Sequence, residues 1–221
     1  MSPNLWIDPA YGDRLCADAQ MFLRYFQEPL SACILAVGDN DEISARVLAE
    51  NHYQVLGIDL REHCYPSVKY FRLKADVSYL ILTKTLPEVD CIYSLSAIEH
   101  FGLGTYPDPV WPDPVLDADL DAKVLMQFWH ILKPNGTIYL TVPYGEKYIV
   151  HGTDWRVYNQ KELKKRLIQD YQVEEKVFFK SAHAACPDNG ESIPLVTEED
   201  ANQYSGEPPH VTCLLKLRKV V

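Results

Sequence analysis

The chain has 221 residues, 47% of them hydrophobic and 24% charged, with a formal net charge of −10. That length and composition suit one soluble α/β domain with a substantial core, and the acid excess excludes a surface built to track nucleic-acid phosphates, which needs clustered Lys and Arg. No apolar run approaches the roughly 20 residues that span a bilayer, and Met1-Ser2-Pro3-Asn4-Leu5-Trp6 has no basic segment followed by an apolar one, so a cytoplasmic protein is expected.

Taken in chain order, residues 8–26 read as a helical cover within an N-terminal segment spanning 1–30. Residues 32–37 form a short buried strand that ends at Gly38-Asp39-Asn40-Asp41, residue types that favour turns and helix N-caps, and 42–49 follow with helical spacing. Residues 54–59 give a second strand ending in a carboxylate, and 68–73 a third that leads into Lys74-Ala75-Asp76-Val77. Residues 89–94 are a fourth apolar strand that runs into small hydroxyl residues and then the adjacent pair Glu99-His100, placed where an open α/β sheet presents reactive groups. Residues 119–132 read as an amphipathic helix stopped by Lys133-Pro134-Asn135-Gly136, and 137–142 as a fifth strand. Residues 159–169 are a helix whose basic run, 161–166, reads as a solvated face. Finally 172–179 and 211–219 alternate like paired strands, with the polar stretch 181–210 inserted between them and 211–221 as the last, edge strand.

Alternation of this kind predicts a doubly wound, mainly parallel seven-stranded sheet with an antiparallel last strand and helices on both faces. The core would occupy 31–180 of a single domain, 1–221. Cys16, Cys33, Cys64, Cys91, Cys186 and Cys213 are scattered without a CxxC pair, which favours reduced structural thiols over a zinc site.

The turn after the first strand has one glycine and three acids, so it lacks both the three glycines of a dinucleotide fingerprint and the Lys-Ser/Thr of a P-loop. Acids there would repel pyrophosphate but suit a cationic ligand. Asp59 either accepts hydrogen bonds from ribose hydroxyls or caps the following helix. Asp76, after the third strand, adds weight to the ribose alternative.

The segments Ile34-Leu35-Ala36-Val37-Gly38, Gly57-Ile58-Asp59, Ala75-Asp76-Val77, Ser94-Leu95-Ser96-Ala97-Ile98-Glu99-His100 and the stretch from Leu132 to Pro143 together resemble the class I S-adenosylmethionine-dependent methyltransferases over about residues 30–180. Within that superfamily the stretch from Glu99 to Pro109, the Asp-rich stretch behind it and His151-Gly152-Thr153-Asp154-Trp155-Arg156 are similar to a bacterial subgroup associated with glycan or sugar modification. The resemblance implies S-adenosylmethionine as cofactor, with its methionyl part over Gly38, its ribose on Asp59, its adenine between Leu60 and Asp76-Val77, and Ser94 and Ser96 beneath the sulfonium. The chain departs from the family at Ala36, where an acid is usual, and at Asn40, where a glycine is usual.

Methyl transfer to a hydroxyl requires a group that accepts its proton. An imidazole titrates near neutral pH, so His100 suits that role, and Glu99 would orient the ring or bind a substrate hydroxyl. The alternative is that Glu99 caps a helix and His100 packs. Asp108, Asp113, Asp117, Asp119 and Asp121 match the spacing of no known ion loop, and no metal is expected. Tyr106, Trp111, Tyr144, Tyr148, Trp155 and Tyr158 offer rings for a sugar or phenolic acceptor, or simply pack the loops. Two functions follow: an O-methyltransferase acting on a small-molecule or glycan hydroxyl such as a sugar, and a catalytically silent binding or assembly subunit of the same fold.

Overall fold

The computed structural model describes residues 5–7, 16–39, 43–61, 70–104, 116–181, 193–206 and 211–220. Its strands are β1 (Cys33–Val37), β2 (Gln54–Asp59), β3 (Phe71–Lys74), β4 (Val89–Leu95), β5 (Leu132–Tyr144), β6 (Ile149–His151), β7 (Trp155–Val157), β8 (Gln172–Lys180), β9 (Leu195–Val196) and β10 (Val211–Arg218). The helices are α1 (Ala17–Tyr25), α2 (Ser44–Glu50), α3 (Val77–Leu82), α4 (Leu120–Ile131), α5 (Gln160–Leu163) and α6 (Glu198–Ala201). Strands β6 and β7 pair as a separate hairpin, and the other eight form one sheet in the order β3-β2-β1-β4-β5-β10-β8-β9.

The first five strands of that order run parallel, and β1 sits between β2 and β4 with Leu35 opposite both Leu56 and Ile92. This is the doubly wound arrangement expected from the sequence. The sheet has eight strands rather than seven, because Leu195 and Val196, inside the polar insertion, add a short antiparallel strand to β8. The last strand is also not at the edge: β10 lies antiparallel between β5 and β8 and is buried along almost its whole length.

Helices cover both faces. Leu35, Ile92 and Leu140 pack with Val124, Leu125 and Phe128 of α4 on one side, and Ile34, Tyr93 and Tyr139 pack with α1 and α2 on the other. In α1, Phe22 lies against Tyr93 at 4.5 Å between ring centroids and edge-on to Tyr139 at 5.4 Å. Burying one such aromatic side chain contributes about 1.5–3 kcal/mol, which seats this short helix over the carboxyl end of β4. The helical cover predicted for 8–26 is therefore present from Ala17, while residues 8–15 lie outside the described residues.

Two predicted helix boundaries moved for identifiable reasons. Strand β5 takes up Lys133-Pro134-Asn135-Gly136 directly after α4, with Asn135 in the left-handed region at φ 62° and the β4–β5 register shifting between Val89 and Cys91. The helix predicted over 159–169 begins at Asn159, whose side chain caps the Glu162 amide, but widens into a π-helical turn over Lys164–Ile168. There Arg166 turns inward onto Asp121, so the basic run is solvated only at Lys161, Lys164 and Lys165.

Candidate functional site

The carboxyl ends of β1, β2 and β4 meet at Gly38. Its φ of +76° is open to glycine, and a Cβ placed there would lie 2.3 Å from the Ala97 Cβ, so the β1 turn rests directly on the β4 turn. Asp39 follows. Its carboxylate does not face a ligand, as the acidic turn suggested, but folds back beneath the sheet edge. It accepts from the Tyr70 hydroxyl at 2.8 Å and the Arg72 Nε at 3.1 Å. Gly57 makes the room, since a Cβ there would fall 2.4 Å from Asp39 Oδ2. Burial outweighs these partners and pushes the Asp39 carboxyl up to about 7. Asn40, Asp41 and Glu42 lie outside the described residues.

At the end of β2, Asp59 is 6% exposed and already engaged. Its Oδ1 accepts from the Arg61 amide at 2.7 Å and Arg61 Nε at 3.1 Å, and its Oδ2 from Arg61 Nη2 at 3.2 Å. The carboxylate thus closes a local turn with Arg61, and residues 62–69, where a helix capped by Asp59 was the alternative, lie outside the described residues. Leu60 beside it is half-buried; Asp76 caps α3 through the Ser78 amide at 2.7 Å, and Val77 packs inward.

Strand β4 delivers Ser94 and Ser96. Ser94 is fully buried, and its hydroxyl has no hydrogen-bond partner among the described residues. Ser96 sits at φ 43° and donates to Asp18 of α1, which also accepts from the Thr141 hydroxyl of β5 at 3.2 Å. Ser96 is therefore tied to the covering helix. Asp18 was not singled out in the sequence, where it stands as one acid in the first turn of an otherwise apolar helix face.

A single 3₁₀ turn, Ile98–His100, follows β4. Glu99 is 2% exposed, with one carboxyl oxygen unpartnered; burial, reinforced by the charge of Asp18 and opposed by Arg156, holds its carboxyl well above the usual range. The His100 ring is oriented not by Glu99 but by the β6–β7 hairpin: Nδ1 lies 2.6 Å from the Asp154 carbonyl oxygen, and 3.8 Å from that residue's carboxylate. A carbonyl only accepts, so Nδ1 carries the hydrogen and the neutral ring has its lone pair on Nε2. Burial lowers the His100 pKa below the ordinary imidazole value, against Asp154, with Arg61 and Arg156 adding to the lowering. The ring is thus neutral at pH 7. The bearing of Arg61 on His100 also shows that the β2 end and the β4 turn face one another.

The remaining candidates serve the framework. Asp121 is fully buried and accepts from Tyr158 at 2.7 Å and Arg166 Nε at 2.9 Å, Asp119 pairs with Arg166, and Asp117 pairs with Lys123. Among the described residues no group of three His, Cys, Asp or Glu side chains could hold a metal ion; Asp108 and Asp113 lie outside them. Of the six aromatic residues noted above, Tyr144 and Tyr158 are buried as packing and Trp155 lies beside His151 at 4.9 Å, whereas Tyr106 and Trp111 are outside the described residues. No helix among the described residues is long and apolar enough to cross a membrane.

A family model described as a Caenorhabditis protein of unknown function, DUF268, matches residues 81–173, which include the β4 turn and the hairpin that holds it. A search of curated proteins found no match. Among solved structures, the chain is similar to the 1,6-didemethyltoxoflavin-N1-methyltransferase of Burkholderia thailandensis, crystallised with S-adenosylhomocysteine, at 14% identity and a TM-score of 0.58 over 92% of this chain and 77% of that one. It is also similar to a chain of the Haloferax volcanii complex between the Trm112 methyltransferase activator and a methyltransferase (18% identity, TM-score 0.59, 96% and 92% covered). A third similar structure is an S-adenosylmethionine-dependent methyltransferase of Methanosarcina mazei (12% identity, TM-score 0.59, 91% and 97% covered). The fold is that of S-adenosylmethionine-dependent methyltransferases.

Proposed function

We propose that this chain is an S-adenosylmethionine-dependent O-methyltransferase whose acceptor is a hydroxyl of a small molecule or glycan, a sugar in particular. The observation that carries this reading is His100, a neutral imidazole held in one tautomer by the Asp154 carbonyl, on the turn just past β4 and across from the Gly38 turn. Two neighbours of the same fold, the Burkholderia enzyme and a methyltransferase of calicheamicin biosynthesis, were crystallised with S-adenosylhomocysteine. Cys33, Cys91 and Cys213 are free thiols, which suits a reducing, cytoplasmic setting.

The fit of this chain to the cofactor rests on three features. The close approach of Gly38 and Ala97 keeps the β1 turn free of a side chain where the methionyl part would lie. Asp59 offers a buried carboxylate at the end of β2, and the Arg61 guanidinium that pairs with it is partly exposed. Leu60, Asp76 and Val77 then flank the adenine. When bound, S-adenosylmethionine supplies a methyl carbon on a positively charged sulfur. His100 Nε2 would take the acceptor's hydroxyl proton, leaving the oxygen's electron pair free to accept the methyl group. Glu99, whose carboxyl burial holds well above the usual range, would hydrogen-bond another acceptor oxygen.

Incubation with methyl-labelled S-adenosylmethionine and a panel of sugars and phenols tests the reading, with mass spectrometry locating the label. Label on oxygen in the wild type, lost in His100→Ala, is expected. A second reading, a silent subunit, is favoured by Asp39 and Asp59 both being engaged by arginines of the same chain. Cofactor binding without transfer to any acceptor, or no binding at all, would turn the account toward it.

A further inference from the structure

Arg156 is wholly buried, yet it makes no hydrogen bond to a carboxylate. Its Nη1 donates to the carbonyls of Glu99 at 3.0 Å and Phe101 at 2.6 Å, and its Nη2 to the Ala118 carbonyl at 3.1 Å. Among the described residues the Nε has no hydrogen-bond partner, and it stands 3.8 Å from Asp121, whose carboxylate is already taken by Arg166 and Tyr158. Burying a guanidinium is costly, and spending its donors on three carbonyls is a poor way to offset that cost unless those carbonyls must be fixed. Two of them bracket His100 in sequence.

The same hairpin acts at a second point. Arg156 pairs with Val150 across β6 and β7, and two residues before it, in the turn, Asp154 presents the carbonyl that accepts from His100 Nδ1. The hairpin therefore grips the β4 turn twice, the backbone through Arg156 and the imidazole through Asp154.

We infer that Arg156 is a positioning residue for the proton-accepting turn: its planar fork fixes the carbonyls on either side of His100, so that the ring meets the Asp154 carbonyl and turns Nε2 toward the acceptor. The inference rests on the role proposed for His100. Lysine cannot replace the fork, because a single ammonium does not span three carbonyls in this geometry. The charged and titratable groups that face His100 are Asp154 of the hairpin, Arg61 after β2, Glu99 beside it and Arg156 itself.

The test uses protein labelled with ¹⁵N-histidine and saturated with S-adenosylhomocysteine, in the wild type, Arg156→Lys and Arg156→Gln. The ring-nitrogen signals report tautomer and titration without any acceptor. The wild type is expected to show His100 as the Nδ1–H tautomer with a pKa below the ordinary imidazole value. Both variants should bind the homocysteine within about threefold of wild type but show mixed tautomers, and in Arg156→Gln, where the positive charge is also lost, the pKa should move up. Where an acceptor is in hand, turnover should fall about tenfold to hundredfold with cofactor affinity kept. Folded variants whose His100 keeps the wild-type tautomer and titration would overturn the inference. So would variants that no longer fold, since Arg156 would then hold the domain rather than the turn. Failure of the wild type to bind S-adenosylhomocysteine would instead strike the proposed function.

Discussion

At the β1–β2 end of the sheet, Asp39 and Asp59 are each closed by a cation of the same chain, Arg72 and Arg61. At the β4–β5 end, Glu99 keeps a buried carboxyl oxygen without a hydrogen-bond partner, and the nearby Arg156 gives its donors to backbone carbonyls instead. In the first half each carboxylate carries an arginine, although Asp39 Oδ1 is buried without a hydrogen-bond partner among the described residues, and Asp59 must exchange a partner to take a ligand. The second half holds unspent hydrogen-bonding capacity in a low-dielectric place, which is costly for stability and is the arrangement expected where a substrate completes the site.

Substitutions sharpen that contrast, and the largest effect is expected at the unspent end. Replacing His100 by Ala should lower turnover by about 10²- to 10⁴-fold with cofactor affinity nearly unchanged, as positioned proton transfer contributes on that scale. Activity of the wild type should fall with decreasing pH only below the ordinary imidazole range, because burial depresses the His100 pKa. Retention of more than about a tenth of the turnover would make the ring a packing residue.

At the arginine-paired end, Asp59→Ala should weaken S-adenosylhomocysteine binding by at least about tenfold, since charge-assisted hydrogen bonds from ribose hydroxyls contribute about 1.5–3 kcal/mol each. Arg61→Ala should do the reverse. Arg61 is itself partly exposed, and an ion pair open to solvent on one side contributes on the order of 1 kcal/mol, so removing the competitor should tighten binding about fivefold, and calorimetry showing weaker binding would mean that Arg61 itself contacts the ligand. Asp18→Asn, read by ¹³C carboxyl NMR, should bring the Glu99 pKa down toward the usual carboxylate range, because one of the charges raising it is gone. An unmoved Glu99 signal would separate the two acids.

The effect furthest from the chemistry, on stability alone, concerns Asp39, whose folded pKa of about 7 lies above its unfolded value of 3.8. Between these values the native state binds the extra proton, so the stability this group contributes is present at low pH and is lost as pH rises through 7. Asp39→Asn does not titrate. The melting temperature of the wild type relative to this variant should therefore drop by roughly ten degrees between about pH 4 and pH 7 and then level off. A difference independent of pH would contradict the burial of that carboxylate.

Much of the fold was legible because periodicity and turn chemistry agreed, as at Ile34 to Val37 and at the strand before Ser94. The place of β10 was not, since alternating apolar residues fit an interior antiparallel strand as well as an edge one. Nor was β9, whose two residues leave no period to read. The positions of Asp59, Glu99 and His100 at strand ends were legible from order along the chain. The partners of Asp39, His100 and the Glu99 carbonyl were not: Arg72, Asp154 and Arg156 reach them across 33, 54 and 57 residues, and nothing local in a sequence marks such pairings. Asp18 is the clearest miss, an acid that reads as ordinary helix surface until α1 is laid on the sheet.

The central claim is that this fold, with its altered Gly38 turn and its engaged Asp59, still takes the cofactor of its structural neighbours. Isothermal titration of the wild-type chain with S-adenosylhomocysteine tests that claim most directly. Saturable one-to-one binding, with a Kd well below about 1 mM and hence more favourable than about −4 kcal/mol, is the result predicted. No saturable binding at millimolar concentration would contradict it and leave a methyltransferase fold that has given up the cofactor.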